Sequence, residues 1–262
     1  MPEGDTVWLA ARRLHRALAG ETLTRSDFRV PRLATADLSG REVIEVMPRS
    51  KHLLARVSGG LTLHTHLRID GSWRVFAPGE RWRGGSTFQI RVVLATQRSV
   101  AVGYRLPVAE LIRTADEAVT VGHLGPDLLG PGWDRDEALR RLLAVPECEL
   151  GPALLDQRNL AGIGNMYMAE LCFLAGVSPW TPVGRVPALG AVVDEAHRLL
   201  HRNIETGRQT TTGDHRSGRQ HWVYGRGGQP CWRCGTPVRA AEQGEPPRVR
   251  LTYWCSTCQP LP

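Results

Sequence analysis

The chain has 262 residues and a formal net charge of +7 from 33 basic and 26 acidic side chains, with a pI of about 9.5. A hydrophobic content of 42% excludes global disorder, and no stretch of about 18 apolar residues is present to span a bilayer. The basic surplus points to a polyanionic partner, either nucleic acid or an acidic membrane face.

The first residues, Met1-Pro2-Glu3-Gly4-Asp5-Thr6, lack the basic and apolar segments of a secretory signal. The expectation is a cytosolic protein whose six cysteines are thiols or metal ligands. Residues 5–19 place Val7, Ala10, Ala11, Leu14, Ala17 and Leu18 on one helical face, with Asp5 as N-cap and Gly20 as the stop. Short apolar or alternating runs follow: Glu42–Met47, His52–Val57, Leu61–Leu67, Ser72–Phe76, Phe88–Ala95 and Val100–Tyr104. Glycine pairs and Pro78-Gly79 punctuate them, which predicts an antiparallel, sandwich-like β domain over 1–114. Residues 115–133, rich in Gly and Pro, read as a linker.

Helical periodicity then takes over in a domain spanning 134–222, with predicted helices over Asp134–Ala144, Asn165–Leu174 and Leu189–Ile204. A short helical segment containing Leu154-Leu155 turns at Gly162-Ile163-Gly164, just before Asn165. Free N–H groups at such a helix start can bind phosphate, and Asn165 can add a side-chain donor. The same residues also suit a plain helix–helix turn with a capping Asn. Residues 207–229 read as a polar, basic loop, and Cys148 and Cys172 as core residues.

The tail, within a predicted module over 223–262, carries Cys231-x-x-Cys234 and Cys255-x-x-Cys258 around 20 intervening residues. Two matched knuckles can complete a tetrahedron of thiolates, which points to one structural zinc ion with no open position for a catalytic water. Arg226, Arg233, Arg239, Arg248 and Arg250 cluster there with Trp222, Tyr224, Trp232, Tyr253 and Trp254, a composition that suits nucleic acid. Of the 33 basic residues only Lys51 is a lysine.

Together these residues resemble the Fpg/Nei family of DNA glycosylases, over nearly the whole chain. The resemblance rests on Pro2-Glu3-Gly4, on Lys51 in Ser-Lys-His-Leu-Leu, and on His66 through Gly71 to Trp73. It rests further on Leu155-Asp156-Gln157 through Gly162-Ile163-Gly164-Asn165-x-Tyr167, and on the finger ending Cys258-Gln259. The implied fold is α+β: a β-sandwich domain, a helix–two-turn–helix domain and a zinc finger. The opening is more similar to endonuclease VIII than to formamidopyrimidine-DNA glycosylase. Asp5-Thr6 stand where the family usually has Pro-Glu, which bears on lesion selectivity.

By resemblance, the chain is a monomeric glycosylase/AP lyase of base excision repair acting on damaged duplex, bubble or single-stranded DNA. Pro2 is the nucleophile, Glu3 the general acid/base, and Lys51 a catalytic side chain near the lesion. Burial of Glu3 favours its protonated form and the following helix start its carboxylate. Arg68 and Ile69 form a wedge; Asn165 and Arg250 clamp a phosphate; Gly162, Gly164, Tyr224 and Arg226 contact DNA. Oxidised pyrimidines are the expected lesions, with 8-oxoguanine or formamidopyrimidine as the alternative. A non-catalytic zinc-ribbon nucleic-acid binder and a protein–protein adaptor are the other readings of these residues.

Overall fold

The computed structural model describes residues 2–247 and 249–261; Met1, Arg248 and Pro262 lie outside them. Arg248 of the basic cluster, and the methionine that would precede a free Pro2, therefore fall outside the described residues. The chain divides into two compact units, one up to His123 and one from Leu124.

The first unit begins with α1 (Gly4–Leu18), which buries Val7, Ala11, Leu14 and Leu18. Its N-cap is Glu3, not Asp5, which sits one residue inside the helix with its carboxylate accepting the Thr6 N–H at 2.7 Å. Eight strands follow: β1 (Arg25–Phe28), β2 (Val43–Arg49), β3 (His52–Val57), β4 (Leu61–His66), β5 (Ser72–Phe76), β6 (Ile90–Ala95), β7 (Val100–Tyr104) and β8 (Val108–Arg113). They form two antiparallel sheets, ordered β1-β6-β7-β5 and β2-β3-β4-β8. One core joins α1 to both sheets through Val7, Leu14, Val46, Leu53, Leu63, Val92 and Ala101. A second cluster, with Phe76, Ile90, Val93, Val102 and Tyr104, covers the other face of β6 and β7. That burial on two faces explains their near-continuous apolar runs. Phe88 is not in a strand: it lies in a short 3-10 turn (Thr87–Gln89) and is 78% exposed. Nor is 115–133 irregular throughout. Helix α2 (Glu117–Val121) is tied back to the sheet because Glu117 accepts two bonds from Arg56 and one from Thr62.

The second unit holds α3 (Arg135–Leu142), α4 (Leu150–Leu155), α5 (Asn165–Leu174), α6 (Leu189–Thr206) and the hairpin β9 (Arg239–Gln243) and β10 (Arg250–Trp254). Asp134 caps α3 by accepting the Glu137 N–H. Residues Asn165 through Phe173 of α5 are all buried, so this helix is surrounded by protein. Leu154, Ile163, Met166, Leu171, Val193, Ala196 and Leu200 build the helical core. Ala169 and Phe173 of α5 pack against Val223, Cys231, Val238 and Cys255. The hairpin is also pinned by Gln243, whose Nε2 donates to Glu149 and to the Pro179 carbonyl, and the tail by Gln259, which donates to the Val177 carbonyl. Among the described residues no helix is long and apolar enough to cross a membrane.

Candidate functional site

Pro2 is half-buried immediately ahead of α1, and Glu3, at the N-cap, has no solvent exposure.

Lys51 lies in the two-residue turn Ser50-Lys51 joining β2 to β3, where Arg49 pairs with His52. Ser50 takes φ 58°, as so tight a hairpin turn requires of at least one residue. His52 pairs in turn with His66 at the end of β4. The turn bearing Lys51 and the loop 67–71 therefore lie at the same end of the sheet. His66 accepts the Arg68 backbone N–H on Nδ1 at 2.9 Å and so fixes the start of that loop, with Arg68 at φ 47°. Gly71 closes it through an N–H bond to the Leu67 carbonyl; a Cβ there would lie 2.5 Å from that oxygen. The result is an exposed loop that presents Ile69, 72% exposed, at its crest.

Three histidines line the same strands. His52 and His64 share a hydrogen bond of 2.9 Å, and His64 reaches Glu110 at 3.3 Å. Burial, then the charges of Arg68, Lys51 and His64, pushes His66 down to about 4. Burial and the neighbouring histidines push His52 down to about 3. Both rings are therefore neutral near pH 7, which leaves His66 Nδ1 free to accept.

In the second unit, Gly162 takes φ 120°, a left-handed value that needs glycine. Its N–H donates to Gln157 Oε1, while Gln157 Nε2 donates to the Leu155 and Ile163 carbonyls. Gln157 thus holds the turn that delivers Gly164 and Asn165. Asn165 is not the cap of α5; Gly164 is. Its amide Nδ2 instead donates to the Leu251 carbonyl of β10 at 2.8 Å, and its Oδ1 is buried without a hydrogen-bond partner. A half-satisfied buried amide is uncommon in a purely structural position. Arg250, one residue before Leu251, is exposed, with one guanidinium nitrogen on the Val249 carbonyl.

The four cysteines come together. All four Sγ atoms lie within 4.8 Å of one another; Cys231 and Cys258 are 4.0 Å apart, Cys234 and Cys255 3.4 Å. A tetrahedral ion with bonds of about 2.3 Å would set its sulfurs about 3.8 Å apart, so the cluster fits one metal ion.

One residue departs from the sequence-based assignment. Arg226, expected to contact DNA, is 5% exposed. Its guanidinium donates to the Trp222 and Pro230 carbonyls and lies 3.7 Å over the Trp232 ring, so it is an internal brace of the finger. Tyr224 is half-buried against Tyr253 and His221. The residue that sequence reasoning missed is Glu170. It is fully buried on α5 and accepts from the Thr211 hydroxyl and the backbone N–H groups of Trp222, Val223 and Tyr224. The available signal was an acid inside the otherwise apolar run Met168-Ala169-Glu170-Leu171-Cys172-Phe173.

Residues 1–105 match the family described as Formamidopyrimidine-DNA glycosylase N-terminal domain. Residues 124–214 match Formamidopyrimidine-DNA glycosylase H2TH domain. A probable endonuclease 8 2 of Streptomyces coelicolor is 62% identical over 100% of this chain and 95% of its own length. The DNA-(apurinic or apyrimidinic site) lyase Nei2 of Mycolicibacterium smegmatis is 47% identical over 99% of both chains. In fold, the chain is similar to the formamidopyrimidine-DNA glycosylase of Lactococcus lactis bound to DNA containing an AP site, with a TM-score of 0.81 at 21% identity, over 99% of this chain and 100% of that one. With both domain patterns in order and relatives matched end to end, the chain belongs to the formamidopyrimidine-DNA glycosylase family.

Proposed function

We propose that this protein excises oxidised bases from DNA and then cleaves the strand at the resulting abasic site. The observation that carries the reading is Pro2-Glu3 at the start of α1, with Glu3 fully buried, in a chain carrying both family domains. Once the initiating methionine is removed, Pro2 offers a secondary amine, and a terminal amine has a pKa of about 7.7–8.0, so a useful fraction is neutral. Its lone pair attacks C1′ of the damaged nucleotide. The base leaves with its bonding electrons and a proton, the sugar ring opens, and a C1′ iminium forms. That cation acidifies C2′–H; loss of this proton expels the 3′ phosphate, and a second elimination expels the 5′ phosphate. Water hydrolyses the iminium and frees Pro2.

Glu3 protonates the ring oxygen and moves protons during elimination. Lys51 supplies an ammonium near the attacking amine. The target nucleotide must leave the stack, and Ile69, with Arg68, is the wedge that fills the gap. Asn165, with the turn at Gly162 and Gly164, and Arg250 hold backbone phosphate. Arg226 acts within the finger. Cys231, Cys234, Cys255 and Cys258 hold one structural zinc ion, which folds the finger and takes no part in the chemistry. The protein acts as a monomer in the bacterial cytoplasm, on nucleoid DNA.

Borohydride reduction tests the reading: it traps the iminium as a covalent DNA adduct that maps to Pro2. Pro2→Gly weakens the adduct and a retained Met1 abolishes it. An adduct mapping to any other residue sinks the mechanism. For lesion choice, the endonuclease VIII-like opening Pro2-Glu3-Gly4 favours oxidised pyrimidines over 8-oxoguanine paired with cytosine.

A further inference from the structure

Phe88 is 78% exposed on a turn that is held with unusual care. Ser86 and Gln89 form a reciprocal capping box around it. Gln89 Oε1 also accepts from Arg105 Nη1 at 3.0 Å, and the Gln89 carbonyl accepts the Arg105 N–H at 2.8 Å. The same guanidinium donates from Nε to the Asp70 carbonyl at 3.0 Å. One arginine, itself at φ 48°, thus ties the Phe88 turn to the loop that carries Ile69. The two large apolar side chains exposed there, Ile69 and Phe88, stand on rigid loops held within reach of a single guanidinium.

A lone exposed apolar residue needs no explanation. This one has a cationic rim. Arg91 Nη1 holds the Phe88 carbonyl at 2.8 Å, and Arg29 reaches the Thr87 carbonyl at 3.5 Å. The fold gains nothing from leaving an aromatic face in water on a stapled turn. An aromatic face among arginines matches a nucleic acid, whose bases stack on aromatic rings and whose phosphates pair with guanidinium groups. A protein partner would find few apolar neighbours to bury there beyond Ile69.

We infer that Phe88 is a second DNA-contacting side chain, which stacks on a base beside the site that Ile69 enters. This rests on the proposed reading of loop 67–71 as the wedge. Arg105 sets the spacing of the two contacts, so they engage neighbouring nucleotides together.

The test uses the full-length protein and a duplex carrying a tetrahydrofuran abasic analogue flanked by 2-aminopurine, read by affinity and by 2-aminopurine emission. Phe88→Ala is expected to raise Kd about tenfold, the effect of losing one base-stacking contact, and to lose most of the emission change. Phe88→Trp is expected to retain both. Because the side chain is largely exposed, Phe88→Ala should melt as the unaltered protein does. A Phe88→Ala protein that keeps either the original Kd or the original emission change overturns the inference. Borohydride trapping of the unaltered protein, on a separate duplex carrying a true abasic site with its C1′ aldehyde, keeps the two readings apart. No Pro2 adduct overturns the proposed chemistry and leaves the Phe88 binding result legible; an adduct with unaltered Phe88→Ala binding overturns only the second contact.

Discussion

The carboxylate of Glu170 accepts the backbone N–H of Val223 at 2.8 Å from a position with no solvent exposure. It takes Trp222 and Tyr224 N–H as well, and so ties α5 to the entry of the finger. Glu170→Gln replaces an acceptor oxygen with an amide NH2 that faces N–H donors. Equilibrium unfolding should show a loss of about 3 kcal/mol, the scale for disrupting a buried, hydrogen-bonded charge. A loss below about 1 kcal/mol would show that the donors are satisfied without it.

His66 and His52 make stability depend on pH. Their folded values lie near 4 and 3, held down chiefly by burial, whereas an unfolded histidine takes its proton near 6.5. The unfolded chain therefore binds protons first as pH falls. The stability these neutral rings provide is complete above about pH 6.5 and declines toward pH 4. The melting temperature should drop between about pH 6.5 and 4.5, above the range where carboxylates titrate. His66→Asn retains an acceptor for the Arg68 N–H without the titration, so its profile should be flatter. Equal slopes in the two proteins would remove His66 from this account.

Removing metal should dismantle the finger, since binding and folding are coupled in so small a module. The hairpin β9–β10 should lose amide protection when a chelator is added. The contacts at Asn165, Gln243 and Gln259 should be lost with it, and DNA affinity should fall. Arg250→Ala should lose affinity while retaining metal. Full DNA affinity in metal-free protein would contradict the role given to the finger.

Lys51 is the only lysine among 33 basic residues. Lysine offers a compact ammonium, arginine a planar, permanently charged fork. A nearby ammonium also depresses the pKa of a terminal amine, because like charges disfavour protonation. Lys51→Arg should slow single-turnover excision at least about tenfold, or about 1.4 kcal/mol, with little change in affinity for undamaged DNA. Unaltered excision by the arginine protein would reduce Lys51 to a simple charge.

Much of the fold was legible locally. Helix α5 falls where its apolar run predicted, and β3, β5 and β7 match their predicted bounds. β1 was not legible, because Arg25-Ser26-Asp27-Phe28 is polar and becomes a strand only by pairing with β6. β8 was missed for a related reason: its residues are mostly half-buried and lack strict alternation. Phe88 read as the start of a strand because an aromatic before Ile90 continues an apolar run; the capping box ends it instead. Charge counting placed Arg226 on the DNA-facing side, since composition records charge and not direction.

Resemblance to the family marks Pro2, Glu3 and Lys51 as candidates; the sequence by itself determined the four-cysteine set, the amphipathic helices and the order of β region, helical region and finger. These last follow from short-range spacing, which a helix or a knuckle expresses without distant partners. Only the tertiary structure decided that His52 pairs with His66, that Arg105 joins the Asp70 loop to the Gln89 turn, and that Glu170 receives its donors from Thr211 and 222–224. Each of these joins segments far enough apart in sequence that no local periodicity encodes the meeting. They form because closing the sheets and packing α5 buries polar groups, and a buried polar group must find a partner wherever the fold brings one.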